Sequence, residues 1–303
     1  MLVLLAGPAL AASQFWDTDS GAGLQGGDGK WDTTDANWSD SRLGTALSPW
    51  TPDNKAWFLA PSNGLPSIVT LTNSFNVGSV SISTGGLYTL IVTNGGQMLA
   101  GSTNSVIGYL ASNNTVIIVG GVGVTSLWEV GTSSATQALT IGSGAGATNN
   151  LLVIDGGGIP SAAVVSNVSV VIVGSAAGSQ RNTLIVTNGG KLFSKGICAV
   201  GSASSNNVTR VTGGGATWDF GGGCVYVGSG GANNGLIVDG QGAWGGAIVT
   251  NMATQPFVGS GASDGSYLIV TNGGQFFSYL GGGLTLGNGA NGCSIKVVGG
   301  GAG

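Results

Sequence analysis

Few residues of this chain could take part in acid–base or nucleophilic chemistry. Its 303 residues include 12 aspartates and glutamates, 8 lysines and arginines, 3 cysteines and no histidine. Without histidine, the chain cannot form a Ser-His-Asp or Cys-His nucleophilic system or the common zinc sites. Any catalysis would therefore depend on carboxylates, which work as a pair when they lie about 5 to 9.5 Å apart.

The carboxylates of the glycine-rich part of the chain are too dispersed to form such a pair. Asp155 and Asp239 occupy equivalent positions of a sequence repeat, but three repeats separate them. At about 4.8 Å per stacked repeat, they would lie about 14 Å apart. Asp219 belongs to a different strand, and Glu129 and Asp264 complete no cluster. We therefore predict no catalytic residue, no cofactor and no enzymatic activity.

Aspartates also occur in the N-terminal segments WDTDSGAG and GGDGKWD. They could contribute to a Ca²⁺ site, which needs about six to eight oxygen ligands. The spacing does not match an EF-hand loop, so we predict no metal site.

The N-terminal region is rich in tryptophan. Residues 14–60 contain five of the eight tryptophans and seven of the twelve acids. Bulky side chains could cover the open end of a solenoid, which needs a cap with a polar outer face. Alternatively, tryptophans could form a platform on which sugar rings stack. The candidates for carbohydrate stacking are Trp31, Trp38, Trp218 and Trp244.

The composition predicts a folded, β-rich chain. Glycine contributes 60 residues, and hydrophobic residues make up 42%. Charged residues make up 7%, against about 25% in ordinary proteins; this combination excludes disorder. A net charge of −4 leaves no basic surface for phosphates, so we expect no nucleic-acid partner. After the first dozen positions no apolar run reaches about 18 residues, so we expect no membrane-spanning helix.

A degenerate repeat runs through most of the chain. The heptapeptide LIVTNGG occurs at Leu90–Gly96, Leu184–Gly190 and Leu268–Gly274, and five variants accompany these copies. Equivalent positions recur at intervals of 25 to 36 residues, about 29 on average, as in solenoids. The third position is β-branched in all eight copies, which suits a buried strand. These residues are Val92, Ile118, Ile154, Val186, Val211, Val238, Val270 and Val297.

Charged residues within the repeat indicate which way its side chains point. Position 2 is Arg210 or Lys296 in two copies, and position 4 is Asp155 or Asp239 in two others. Alternate side chains of a strand point to opposite faces, and an unpaired charge is costly to bury. Positions 1 and 3 should therefore face the core, and positions 2 and 4 the solvent. Because Asn-Gly-Gly supplies a turn with positive φ, we interpret the heptapeptide as the strand and corner of one coil and not as a binding motif.

Each repeat holds two further short strand signals. A Leu-bearing or aromatic segment follows the glycines, such as KLFS at Lys191, and then a segment such as CAVGS at Cys198. Three short strands per coil of about 29 residues predict an all-β, right-handed parallel β-helix, a solenoid whose hand follows from the parallel-crossover rule. An antiparallel meander or sandwich is the alternative, because Asn-Gly also forms hairpin turns.

The chain divides into three segments. Residues 1–12 resemble a truncated signal peptide, with an apolar core and an Ala-x-Ala site but no positively charged start, and predict export. Residues 13–66 form a Trp/Asp-rich N-terminal cap region. Residues 67–303 hold the β-helix repeats and end within a coil, which indicates a C-terminal truncation. The odd number of cysteines predicts buried free thiols: Cys198, Cys224 and Cys293.

The N-terminal motifs carry a family resemblance. Trp-Asp, a glycine-rich stretch, the segment GKWDTTDANWS and then glycine-rich strand repeats resemble secreted bacterial proteins with autotransporter-associated β-strand repeats. The resemblance covers most of the chain and implies a passenger-like β-solenoid at the cell surface or outside the cell.

These observations lead to two functional hypotheses. The first is an exported or cell-surface structural or adhesive β-solenoid, whose partners would be surface glycans or other cell-surface components. It would contact a membrane only through an anchor or translocator that this sequence lacks. The alternative is a carbohydrate-binding module or a degenerate polysaccharide-active β-helix enzyme. Exposed tryptophans would favour the alternative, and buried ones the first hypothesis.

Overall fold

The strands stack in three faces that run along the molecule. A computed structural model describes residues 11–85, 87–99, 101–132, 136–241, 245–279 and 283–299. Over these residues the chain forms 29 β-strands, numbered in chain order, and no helix. Face 1 is a sheet of ten strands: β2 (Gly29–Lys30), β6 (Ser67–Leu71), β9 (Tyr88–Val92), β12 (Thr115–Val119), β15 (Leu151–Asp155), β17 (Thr183–Thr187), β20 (Val208–Thr212), β23 (Gly235–Asp239), β26 (Tyr267–Thr271) and β29 (Ser294–Val298).

The other 19 strands belong to one continuous sheet that wraps around faces 2 and 3. Face 2 contains β7 (Ser74–Asn76), β10 (Gln97–Leu99), β13 (Ser126–Glu129), β18 (Lys191–Ser194), β21 (Thr217–Asp219), β24 (Ile248–Met252) and β27 (Gln275–Ser278). Face 3 contains β1 (Ser13–Trp16), β5 (Lys55–Phe58), β8 (Ser79–Ser83), β11 (Ser105–Tyr109), β14 (Gln137–Ser143), β19 (Ile197–Ser202), β22 (Cys224–Ser229), β25 (Phe257–Ser260) and β28 (Thr285–Asn288). The short strands β3 (Trp38–Ser39) and β4 (Leu47–Ser48) lie beside β1, and β16 (Ala163–Val173) passes from face 2 to face 3.

Neighbouring strands of each face are parallel and in register from coil to coil. On face 1, Thr115 pairs with Leu151, which pairs with Thr183. These partners are separated by the intervals of the sequence repeat. Antiparallel pairing within the described ranges is confined to β1 with β3, β3 with β4, and an isolated bridge between Gly121 and Val124. The predicted parallel β-helix with three strands per coil is confirmed, and the antiparallel alternative is wrong.

One coil departs from the three-strand pattern. The predicted second and third strands merge there into β16, which has 11 residues. Val165 pairs with Leu192 of β18, and Val168 pairs with Ser194, so the register shifts between them. Asn167 has a φ of 55° at this irregularity. The extra residue bends the strand around the corner as a β-bulge does, so no separate turn is needed.

The interior is the stack of residues that the repeat places inward. On β17, Leu184 and Val186 are fully buried, while Ile185 between them is half-buried. Arg210 and Lys296 are exposed, as their positions predicted. Thr209 takes a position that is Leu, Val or Ile in the other copies, and its buried hydroxyl has no hydrogen-bond partner. The predicted polarity of the repeat is confirmed except in β29, the last described strand, where Val297 at position 3 is 74% exposed.

The Asn-Gly-Gly corners depend on backbone conformations that few other residues adopt. Asn188 has a φ of 49° and Gly189 a φ of 87°. Gly190 is required for a different reason: a Cβ there would lie 2.2 Å from the carbonyl oxygen of Ile154 in the preceding coil. The first two residues of the motif therefore turn the chain, and the third lets two coils approach closely.

A buried row of asparagines, here called the asparagine ladder, lies at the other end of the face 1 strands. Each member directly precedes a strand, and each except the last hydrogen-bonds to the next member. Asn150 donates its backbone N–H and its side-chain amide to Oδ1 of Asn182, both at 3.0 Å, and Asn182 donates in the same way to Asn207. The members are Asn114, Asn150, Asn182, Asn207 and Asn234.

The ladder also explains the glycine of the recurring Gly-Ser segment. Gly201 has a φ of 81°, and a Cβ at this position would lie 2.1 Å from the amide of Asn234. Gly142 and Gly174 face Asn182 and Asn207 in the same way. The glycines of one corner thus make room for the amides of the ladder.

Candidate functional site

The predicted carbohydrate-stacking residues of the N-terminal region lie in the core. Trp31 is 1% exposed and Trp38 0%. Their ring centroids are 4.9 Å apart, and both rings pack against Trp50 at 5.0 and 4.7 Å. Trp16 contacts Trp38 at 5.2 Å, and Phe58 packs against Trp16 as well. These five rings form the tryptophan cluster, and within it Trp31 and Trp38 offer no face to a sugar.

The remaining two candidates do not restore the predicted row. Trp218 is 0% exposed, donates its indole N–H to Ser194 Oγ at 3.1 Å, and stacks on Phe220 at 4.4 Å. Trp244 lies outside the described residues. The stacking prediction is therefore wrong for Trp31, Trp38 and Trp218, because large apolar rings stabilise the fold most when they are buried.

The carboxylates of the coils hold corners together and do not converge. Asp155 accepts a hydrogen bond from Asn188 at 3.2 Å, and Asp239 accepts one from Asn272 at 3.0 Å. Asp219 binds the asparagine one coil further on, at 2.9 Å on face 2. Asp155 and Asp239 share one row of face 1, three coils apart, as predicted. The structure therefore brings no two of these three acids together.

The two buried cysteines are unsuited to nucleophilic chemistry. Cys198 and Cys224 are buried free thiols, as predicted, and Cys293 is a half-buried one. Cys224 pairs in register with Ile197, one residue away from Cys198, so stacking does not align the two sulfurs. Burial raises the pKa of the Cys198 thiol to about 11, which keeps it protonated at neutral pH.

No cluster of metal-binding side chains is found in the ranges that the structure describes: no three of Cys, Asp and Glu come together there. Two grooves on the outer surface of the described residues are further candidate sites.

The first, here called the Phe193 groove, lies on face 2 and has a volume of about 340 Å³. Its polar groups are largely bonded to one another or to the fold. Asn251 donates to Asp219 at 2.9 Å, and the backbone N–H of Gly221 donates to the same carboxylate at 2.8 Å. Asn167 donates to Glu129. The hydrogen bonds of the Phe193 groove thus stabilise the corner of the coils at which it lies.

The second groove, here called the Trp57 groove, lies on face 3 where β5, β8 and β11 run side by side. It has a volume of about 210 Å³. Trp57 of β5 pairs in register with Ser81 of β8, and Ser81 pairs with Val106 of β11. The lining residues are Lys55, Trp57, Ser79, Ser81, Thr103, Asn104, Val106 and Tyr109.

Strand alternation places Trp57 outward. In the segment KAWF, Ala56 and Phe58 are buried, so Lys55 and Trp57 point to the outer surface. The sequence predicts this tryptophan as part of the cap region 13–66, although the period-two pattern of β5 contains the signal that distinguishes it. The other half of the groove could not be predicted from strand alternation in β5, because Tyr109 comes from a strand two coils away.

Part of the chain is similar to the adhesin BmaC autotransporter of Brucella suis biovar 1 (strain 1330). The two sequences are 27% identical over an alignment of 190 residues, which covers 56% of this chain and 5% of the autotransporter. The chain thus corresponds to a small part of a far longer protein. This similarity supports an autotransporter-related origin.

No family model and no solved structure matches the chain. The assignment to the autotransporter-associated β-strand repeat therefore stays a prediction. The described residues contain no helix, and so none that could span a membrane.

Proposed function

We propose that the chain is the β-solenoid part of an adhesive bacterial protein that acts at the cell surface or after secretion. The similarity to an adhesin autotransporter over 56% of the chain carries this proposal. The fold is compatible with it, since a stack of coils presents the same kind of surface repeatedly along its length. Ten face 1 strands spaced by about 4.8 Å give a rod of about 40 Å.

We attribute adhesion to an extended, largely uncharged surface and not to a chemical reaction. Outward positions include many Thr and Ser residues, position 2 of the repeat is Ile or Val in six of its eight copies, and charges are few. The outward acids that could have served a reaction are separated along the rod or engaged in corner hydrogen bonds. We propose a non-enzymatic role on this basis, with a component of another cell's surface as partner.

Adhesion can be tested with the purified chain. Beads coated with it should bind cultured animal cells saturably, and soluble chain should compete. A matched control is Val186→Asp, which places a charge in the core and disrupts the central coils. Equal binding by wild-type and Val186→Asp beads would refute adhesion by the folded rod.

Surface location can be tested separately. The complete gene, expressed with an epitope tag inside one of the exposed corners, should label intact bacteria with antibody. Labelling only after the cells are permeabilised would refute a surface or secreted location.

A further inference from the structure

The Trp57 groove combines a partly exposed aromatic ring with hydroxyl groups and one cation. We propose that it binds an anionic saccharide, with one pyranose ring against Trp57 and the acid group of that sugar at Lys55. The proposal rests on the adhesive function proposed above and names a ligand class for it.

The aromatic side chains provide the surface for the ring. Trp57 is half-buried, and Tyr109, at the far end of the groove, is 45% exposed. Trp57 is the one tryptophan among the described residues that is not buried. The negative face of an indole attracts the C–H groups of a pyranose, much as it attracts the edge of another ring. A sugar ring would therefore lie flat on Trp57, over the floor formed by Ser81 and Val106.

The floor of the groove offers hydroxyls that the fold does not use. Ser79 is 6% exposed and Ser81 8%, yet neither side chain forms a hydrogen bond with another described residue. Their neighbour Ser83, on the same side of β8, does bond, to the backbone oxygen of Tyr109. Buried hydroxyls normally have a partner. Two that open into a groove without one are suited to the hydroxyls of a bound sugar.

Charge decides which saccharide fits best. Lys55 is the one ionised side chain that lines the groove, and no acid lines it. Asp53, two residues earlier, lies at a turn and is not among the lining residues. Lys55 and Trp57 point outward from the same strand and are separated by about 7 Å of backbone. This distance suits an acid group carried on a ring that is stacked on Trp57.

The size of the groove limits what it holds. A volume of about 210 Å³ is below the range of about 300 to 1,000 Å³ that drug-sized ligands occupy. One sugar ring inside the groove, with its neighbours along the rod surface, fits this volume. The larger Phe193 groove is a poorer candidate, since its amides and carboxylates are already paired with one another.

Titration calorimetry on the whole purified chain tests the proposal with matched probes. Trigalacturonate carries carboxylates, and its methyl ester is the same molecule without charge. Sulfated maltotriose and plain maltotriose form the equivalent pair for sulfate. Tighter binding of an acidic probe than of its neutral partner is expected, and the pair that shows the preference identifies the acid group. No saturable binding of either acidic probe overturns the proposal.

Variants locate the site. Lys55→Gln should weaken binding of the acidic probe by about fivefold, as for a solvent-accessible ion pair, and leave the neutral probe unchanged. Trp57→Ala should weaken both probes by about tenfold or more, the usual effect of removing an aromatic anchor. Trp57→Phe retains a ring and should bind with intermediate affinity, which separates loss of the ring from loss of the fold.

The Phe193 groove supplies matched controls. Lys195→Gln and Phe193→Ala remove the same types of side chain from face 2 and should leave both affinities unchanged. Equal losses from Lys195→Gln and Lys55→Gln would show diffuse attraction to the chain and overturn the proposal. If beads bind cells while no acidic saccharide binds, the groove proposal fails and adhesion stands. If an acidic saccharide binds while the beads do not bind cells, the groove proposal stands and the proposed adhesion fails.

Discussion

The asparagine ladder shows how single side chains join successive coils. Asn182 Oδ1 accepts both the backbone N–H and the side-chain amide of Asn150, and its own amide reaches Ala147 O at 2.9 Å and Asn207 Oδ1 at 3.1 Å. All these groups are buried. Each asparagine thus supplies hydrogen bonds at a corner where the face 1 backbone ladder has ended.

Replacing one rung should therefore be costly. Asn182→Ala leaves the buried backbone N–H of Asn150 without its acceptor and removes the hydrogen bonds of Asn182 to the amide of Asn150 and the carbonyl of Ala147. It should lower the free energy of unfolding by about 3 kcal/mol. Urea denaturation followed by circular dichroism measures the loss. Asn73→Ala, at an exposed asparagine whose side chain bonds no described residue, is the control and should change stability by less than about 0.5 kcal/mol. Equal losses would argue against a structural ladder.

The buried position of Asp17, in the N-terminal region, opposes ionisation of its carboxyl group. One carboxylate oxygen accepts backbone hydrogen bonds from Gln25 and Asp19, while Oδ2 is buried without a partner. Desolvation raises the pKa of Asp17 above its ordinary 3.8, despite the hydrogen bonds that oppose this. The folded state therefore holds this proton more tightly than the unfolded chain does.

This shift predicts a definite pH dependence. Because the folded pKa is raised, stability from Asp17 is greatest when the group is protonated and falls as pH rises from 3.8 through the folded pKa. Asp17→Asn cannot ionise, so the free energy of unfolding of this variant should rise relative to that of the wild type across this window. Above the window, the difference between the two should stay constant up to neutral pH. Urea denaturation at a series of pH values measures the difference. A difference that is constant across the window would contradict the predicted shift.

Among the structural elements, the face 1 strand determines which substitutions the coil tolerates. Ile185 points outward on β17 and pairs in register with Arg210 of β20, whereas Val186 is fully buried. A charge at one of these adjacent positions meets solvent and a cation, and at the other it meets only apolar side chains.

The two positions should respond in opposite ways to the same substitution. Ile185→Asp places a carboxylate beside Arg210 and should change the free energy of unfolding by less than about 1 kcal/mol. Val186→Asp buries an unpaired charge and should cost more than about 4 kcal/mol. Thermal and urea melts of both variants provide the test. A similar loss in both would mean that β17 does not alternate as described.

At the scale of the whole molecule, the rod is stabilised one coil at a time. Each coil contacts only its neighbours, so the stability of a solenoid is roughly a sum over coils and the interfaces between them. The tryptophan cluster lies at the N-terminal end, far along the rod from β17. Damage to the central coils need not reach it.

The urea unfolding transition of a rod with damaged central coils should therefore differ between spectroscopic probes. In Val186→Asp, circular dichroism should lose strand signal at a lower urea concentration than the one at which tryptophan fluorescence completes its change. The central coils, which include Trp218, open first, while the tryptophan cluster stays packed. Phe193→Ala, which removes an exposed ring from the same part of the rod, is the control and should leave the two transitions close together. Coincident transitions in Val186→Asp would show that the rod unfolds as a single cooperative unit.

The candidate site was only partly predictable from the sequence. The outward direction of Lys55 and Trp57 follows from KAWF, since alternation is a property of residues two apart. The burial of Trp31 and Trp38 does not follow from their neighbours, because it depends on rings from several segments meeting at the end of the core. Residue type alone does not distinguish a tryptophan that caps a core from one that faces solvent.

What the sequence alone determined is the content of each coil: three short strands, an inward Leu/Val/Ile stack, outward charges and Asn-Gly corners. These features follow from the local geometry of a strand and from backbone φ preferences, which act within a few residues. What only the tertiary structure decided is which residues meet across coils. The asparagine ladder and the Trp57 groove join residues of different coils that are 22 or more positions apart, through corners of varying length. Only the stacked register of the strands brings such residues into contact.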